Sequence, residues 1–119
     1  MYAERRRSIR ALKPLAIEYC TRGADKCTWS KGRLRDISDR GLCITAALFP
    51  AGKKTVRLRI LIPGRPRRKL LLKGMVIPVR GARDDKTQVH IRFKRLSGSE
   101  KALLREYIAW ILVNERGVR

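Results

Sequence analysis

Two short motifs hold the residue types best suited to gripping an anionic, hydrogen-bonding ligand. The first is in "ERRRSIR" (4–10), where four arginines crowd seven positions and Arg6-x-x-x-Arg10 sets two guanidiniums within reach of one partner. Arginine presents a planar fork that meets phosphate, or the O6/N7 edge of guanine, with two parallel hydrogen bonds, and it also stacks on purine faces. The second is "DISDRG" (36–41), which reads Asp36-x-Ser38-x-x-Gly41. A turn alone would use Asp and Ser for local hydrogen bonds and Gly for an unusual backbone angle or a close approach. As a ligand site the same residues do more. A carboxylate accepts from the ring N–H and exocyclic amine of guanine, a hydroxyl bonds phosphate or base, and glycine leaves room. Arginines on one side with carboxylate and hydroxyl on the other make a clamp for a guanine nucleotide.

Elements that would position these motifs follow from periodicity. "LKPLAIEYC" (12–20) reads as a strand with Leu15, Ile17 and Tyr19 on one face. After the turn "TRGAD", a second strand is expected from Lys26 to about Arg35, and a third over 41–49, with Leu42 and Ile44 opposite Cys43 and Thr45. "TVRLRILI" (55–62) alternates Val56, Leu58, Ile60 and Ile62 with Thr55, Arg57 and Arg59, the period of a half-buried antiparallel strand. "KLLLKGMVIPV" (69–79) is expected to bulge or bend at Gly74, and "TQVHIRFK" (87–94) sets His90, Arg92 and Lys94 on its polar face. Six short strands so spaced imply an all-β, six-stranded antiparallel barrel or sandwich. Ser97 and Glu100 then form a capping box for a C-terminal helix. Its apolar stripe is Leu104, Tyr107, Ile108, Ile111 and Leu112, with Trp110 at the edge. The expected organisation is a flexible basic arm (1–11), the barrel (12–96) and a packed helix (97–115).

Composition narrows the chemistry. The chain has 119 residues, 44% of them hydrophobic, enough for one domain with one core. Thirty Lys and Arg against ten Asp and Glu give a net charge of +20, which calls for an anionic partner. No apolar run is long enough to span a bilayer and no signal peptide precedes the charged N-terminus, so a cytoplasmic protein is expected. Cys20, Cys27 and Cys43 are an odd set, expected to stay reduced there. Their spacing lacks the close pair of a zinc site, and one histidine with few carboxylates offers no catalytic constellation. No enzyme, metal or cofactor is expected.

The basic R-x-x-x-R arm before the first strand, followed by [D/N]-x-S-x-x-G, resembles the PilZ domain family. "VHIRFKRLSGSEKALLREYI" is similar to the last strand and closing helix of such domains. The resemblance covers nearly the whole chain. It implies a PilZ-like barrel with one C-terminal helix, and a bacterial receptor for the second messenger cyclic diguanylate. On that resemblance Arg6 and Arg10 hold phosphate and guanine, and Arg5 adds an arm contact. Asp36 and Ser38 read a guanine edge, and Gly41 keeps the floor open. Family members often carry glycine where this chain has His90. The implied mechanism is a switch in which the ligand orders the arm and changes the surface offered to a downstream protein. Two alternatives share the barrel. One is a nucleic-acid-binding module using Arg57, Arg59 and "GRPRRK" (64–69), against which stands an aromatic content of only 6%. The other is a protein-only adaptor. The surplus charge also suggests a second acidic partner.

Overall fold

The computed structural model describes residues 9–10, 15–21, 28–47, 49, 52, 54–64, 68–77 and 88–116. Their strands are β1 (Ile9–Arg10), β2 (Ala16–Cys20), β3 (Ser30–Ile37), β4 (Gly41–Thr45), β5 (Thr55–Ile62), β6 (Arg68–Ile77) and β7 (Gln88–Phe93). Strands β2 to β7 form a closed antiparallel barrel in the order β3-β2-β5-β6-β7-β4, with β4 returning to pair with β3. Closure leaves no barrel strand with an open edge. The two-residue β1 pairs with Asp36 and Ile37 of β3. Arg33 of β3 meets β2 on one side and β4 on the other, and Asp36 has β4 on that same second side. β1 therefore lies end to end with β2.

Alternation builds the core. Val56, Leu58, Ile60 and Ile62 of β5 point inward and are buried, as do Leu70 and Leu72 of β6 and Val89, Ile91 and Phe93 of β7. Helix α1 (Gly98–Ile111) buries Leu104, Tyr107 and Ile111 in the same cluster. Its start is fixed by the expected capping box: Ser97 Oγ accepts the Glu100 N–H at 3.1 Å and Glu100 Oε1 accepts the Ser97 N–H at 2.8 Å. Trp110 is half-buried against the cluster, whereas Leu112, read as part of the stripe, is exposed in a π-helical turn over Leu112–Arg116. The wider turn rotates it off the packed face.

Two expectations need correcting. Gly74 is not a bulge, because β6 keeps unbroken register with β5 and β7 through it. Instead, a Cβ there would stand 2.4 Å from Ile91 Cγ2, so the glycine admits a close side-chain approach. The bulge lies in β3, at Arg35, where the register with β4 shifts between Leu34 and Asp36. Leu34 and Ile37 are both buried although three residues apart, an odd spacing that a regular strand cannot put on one face. Cys20 is disulfide-bonded, which overturns the expectation that all three cysteines stay reduced.

On the outer face, Arg59 Nε donates to Glu18 Oε1 at 2.5 Å, and Arg59 Cζ lies 4.3 Å from the centroid of the Trp29 ring. The Arg59 hydrogen bond is the main force holding the Glu18 carboxyl below the usual range. The positive charges of Arg59, Lys31 and Lys69 add to it, against burial pulling the other way. A carboxyl with a lowered folded-state pKa contributes stability above its unfolded pKa and loses it as pH falls through the folded one. Glu18→Gln is thus expected to lower stability at neutral pH by less than about 1 kcal/mol, since the pair is partly solvated. Urea titrations of both proteins over a pH series should converge below the normal carboxylate range.

Candidate functional site

Strands β3 and β4 are joined by the three-residue connection 38–40, which Ser38 shapes. The Ser38 N–H donates to Gly41 O at 2.9 Å, while Ser38 Oγ accepts the Arg40 N–H at 3.1 Å and lies 3.4 Å from Gly41 O. A hydroxyl bonded to the backbone two residues on is a local turn former. The bulge at Arg35 then places Asp36 outside the barrel, half-buried, while Leu34 and Ile37 stay in the core. Bulges commonly re-aim a side chain in this way.

On its other side β4 pairs with β7, so that Gly41 faces Arg92 and Cys43 faces His90. Gly41 is the reason these strands meet so closely: a Cβ on it would lie 2.2 Å from Ile91 O and 3.1 Å from Arg92 Cα. The loop is tied to the same strand, the Phe93 N–H donating to Arg40 O at 2.8 Å. A groove of about 280 Å³ crosses the three strands, with Asp36 and Ser38 at one wall, His90 and Arg92 at the other, and Arg40 and Gly41 between them. Cys43 sits buried beneath, its Sγ 3.7 Å from His90 Nε2. Among the described residues no hydrogen bond or ion pair engages the Asp36 carboxylate, so its acceptor oxygens can serve a ligand.

The ends of the two motifs meet through their backbones beside this groove. Arg10 is the backbone register partner of Asp36, a pairing that sets Cα atoms about 4.5–5.5 Å apart. The last residue of R-x-x-x-R is therefore laid against the first residue of D-x-S-x-x-G. Arg5 and Arg6 lie outside the described residues. Sequence reasoning did not select Arg40, His90 or Arg92 as site residues. Arg40 stood inside the quoted motif, and the alternation of β7 put His90 and Arg92 on one outward face. What joins them to Asp36 is the β4–β7 pairing, which no local pattern encodes. A groove with one free carboxylate, flanking guanidiniums and an imidazole suits a planar, hydrogen-bonding anion. Among the described residues no group of three or more His, Cys, Asp or Glu side chains is placed to hold a metal ion. No described helix is long and apolar enough to cross a membrane.

Comparison with known proteins agrees with this architecture. The PilZ domain model matches residues 4–110. Among solved structures, the chain is similar to the PilZ domain of CeSA from a cellulose-synthesizing bacterium, at 15% identity and a TM-score of 0.59, covering 87% of this chain and 96% of that one. It is similar to the PilZ domain of YcgR from Escherichia coli, solved with c-di-GMP, at 20% identity and a TM-score of 0.60, covering 97% and 95%. It is also similar to the Bacillus subtilis inhibitor of motility MotI/DgrA, at 16% identity and a TM-score of 0.62, over 93% of this chain. The chain spans only 53% of that protein's length. No curated protein matches the sequence.

Proposed function

Because this chain belongs to the PilZ domain family, we propose that it is a bacterial receptor for cyclic diguanylate, held in the groove between Asp36, Ser38, His90 and Arg92. The observation that supports this reading is the backbone pairing of Arg10 with Asp36, a residue that lines a groove of about 280 Å³. The YcgR relative bound to the same dinucleotide supports it. In this reading Arg6 and Arg10 take phosphate oxygens and the guanine O6/N7 edge, with Arg5 as an additional arm contact. Asp36 accepts from the guanine ring N–H and exocyclic amine. Ser38 holds the turn and offers its hydroxyl to the ligand. Gly41 acts by letting β4 lie against β7.

The ligand binds the arm-closed form better and so shifts its population, changing the surface shown to a downstream protein. The reading takes the protein to work inside the bacterial cell, as a binding module rather than an enzyme. Titration calorimetry with cyclic diguanylate tests it, with the linear guanine dinucleotide as control. Preference for the cyclic ligand is expected, and Asp36→Ala should weaken binding about tenfold through lost base-edge contacts. Equal affinity for both dinucleotides, or none for either, would sink the proposal.

A further inference from the structure

A second charged feature runs across β5, β6 and the residue that follows β7, and its residues are not those of the Asp36 groove. Arg57 of β5 is the direct register partner of Lys73 of β6. The Lys94 N–H in turn donates to Lys73 O at 2.9 Å. Three cations thus stand side by side in a row across adjacent strands, at the roughly 4.8 Å spacing of a sheet. Like charges directly opposite one another destabilise a sheet, so such a row is costly without a counterion. Among the described residues the nearby carboxylates are already engaged: Glu18 accepts from Arg59, and Glu100 accepts the Ser97 N–H.

Grooves flank the row on both sides, and Arg57, Lys73 and Lys94 line both of them. The smaller, about 250 Å³, is bordered by Cys20, Thr21 and Thr55. The larger, about 440 Å³, is bordered by Trp29, exposed Leu71 and Arg95. Arg59 covers one face of the Trp29 ring, fixing an aromatic surface beside the cations.

We infer that this row is a binding site for single-stranded nucleic acid, separate from the dinucleotide groove. The phosphates would follow Arg57, Lys73 and Lys94, with a base against Trp29 and Leu71. A positively charged groove with an adjacent stacking platform is how single strands are held without sequence preference. An acidic peptide fits less well, because β5 and β6 are paired on both sides and cannot accept an added strand. The inference does not depend on the receptor reading, since neither groove flanking the row shares a residue with the Asp36 groove.

Fluorescence anisotropy of a labelled short oligothymidylate, titrated with the whole protein at low salt, tests it. Lys73→Glu and Lys94→Glu, both at exposed positions, are expected to weaken binding about tenfold or more while melting like wild type. Trp29→Ala should weaken it by about tenfold. Neutralising three phosphates predicts a log affinity against log salt slope of about −2. Excess cyclic diguanylate should leave the oligonucleotide bound, and neither polyglutamate nor anionic phosphatidylglycerol vesicles should displace it at matched charge. Wild-type binding by both lysine variants would overturn the assignment, and displacement by cyclic diguanylate would move the oligonucleotide to the Asp36 groove. Displacement by polyglutamate or by vesicles would make the row a protein-docking or membrane-docking face instead.

Discussion

Arg10→Ala is expected to weaken cyclic diguanylate binding by roughly thirty- to a thousandfold and to leave the barrel's unfolding almost unchanged. The two halves of that expectation have separate causes. The backbone of Arg10 pairs with Asp36 through main-chain groups, which alanine also supplies, so the β1–β3 contact survives the substitution. The guanidinium does not survive it. A bidentate, charge-assisted contact to phosphate or guanine contributes on the order of 2–4 kcal/mol, which converts to that range of affinity. Arg10→Lys should fall between, since an ammonium keeps the charge but lacks the planar fork. Arg7→Ala should stay near wild type, because Arg7 lies outside the R-x-x-x-R spacing. Calorimetry paired with thermal melts reads both halves, and wild-type affinity in Arg10→Ala would refute the arm's part in the clamp.

Gly41→Ala is expected to act in the opposite way, on the fold first. Its new methyl would stand 2.2 Å from Ile91 O, a backbone atom that cannot swing aside as a side chain would. Either β4 moves off β7 or the clash persists, and forced overpacking of this kind costs about 3 kcal/mol. For a domain of this size the melting temperature should drop on the order of 10–20 °C, read by circular dichroism. Gly98→Ala is the control: nothing lies within 4 Å of a Cβ there, so its melt should match wild type within about 0.5 kcal/mol. If Gly41→Ala melted normally but lost the ligand, the motif glycine would serve the dinucleotide rather than the strand pairing.

Period was the most legible signal. β5 occupies 55–62 as its alternation implies, and the capping box at Ser97 and Glu100 starts the helix where expected. These elements are decided by local rules, namely side-chain alternation and capping geometry. β4 shows where local rules end. Its strand was expected to reach residue 49 and stops at Thr45, because only Gly41–Thr45 finds a partner on β7. The bulge at Arg35 is written in the odd spacing of Leu34 and Ile37, whereas Gly74, the more familiar bulge former, stays in register. Asp36, Ser38 and Gly41 could be singled out because one short motif holds them. His90 and Arg92 could not, since their nearness to Asp36 is a product of barrel closure, settled by long-range pairing. The disulfide at Cys20 is not legible in the sequence for a related reason: an odd cysteine count suggests an environment and leaves pairing open.

The barrel closes through β4, a strand of only five residues held between β3 and β7. Were β4 to peel away, it would bare two long rows of unpaired N–H and C=O groups, the surface through which β proteins stick to one another. The Asp36 groove spans these same three strands. On the proposed receptor reading, a dinucleotide seated there would act as a clasp across the seams of β4. On that reading signalling and solubility are joined in one place: the occupied protein would resist self-association as well as report its messenger.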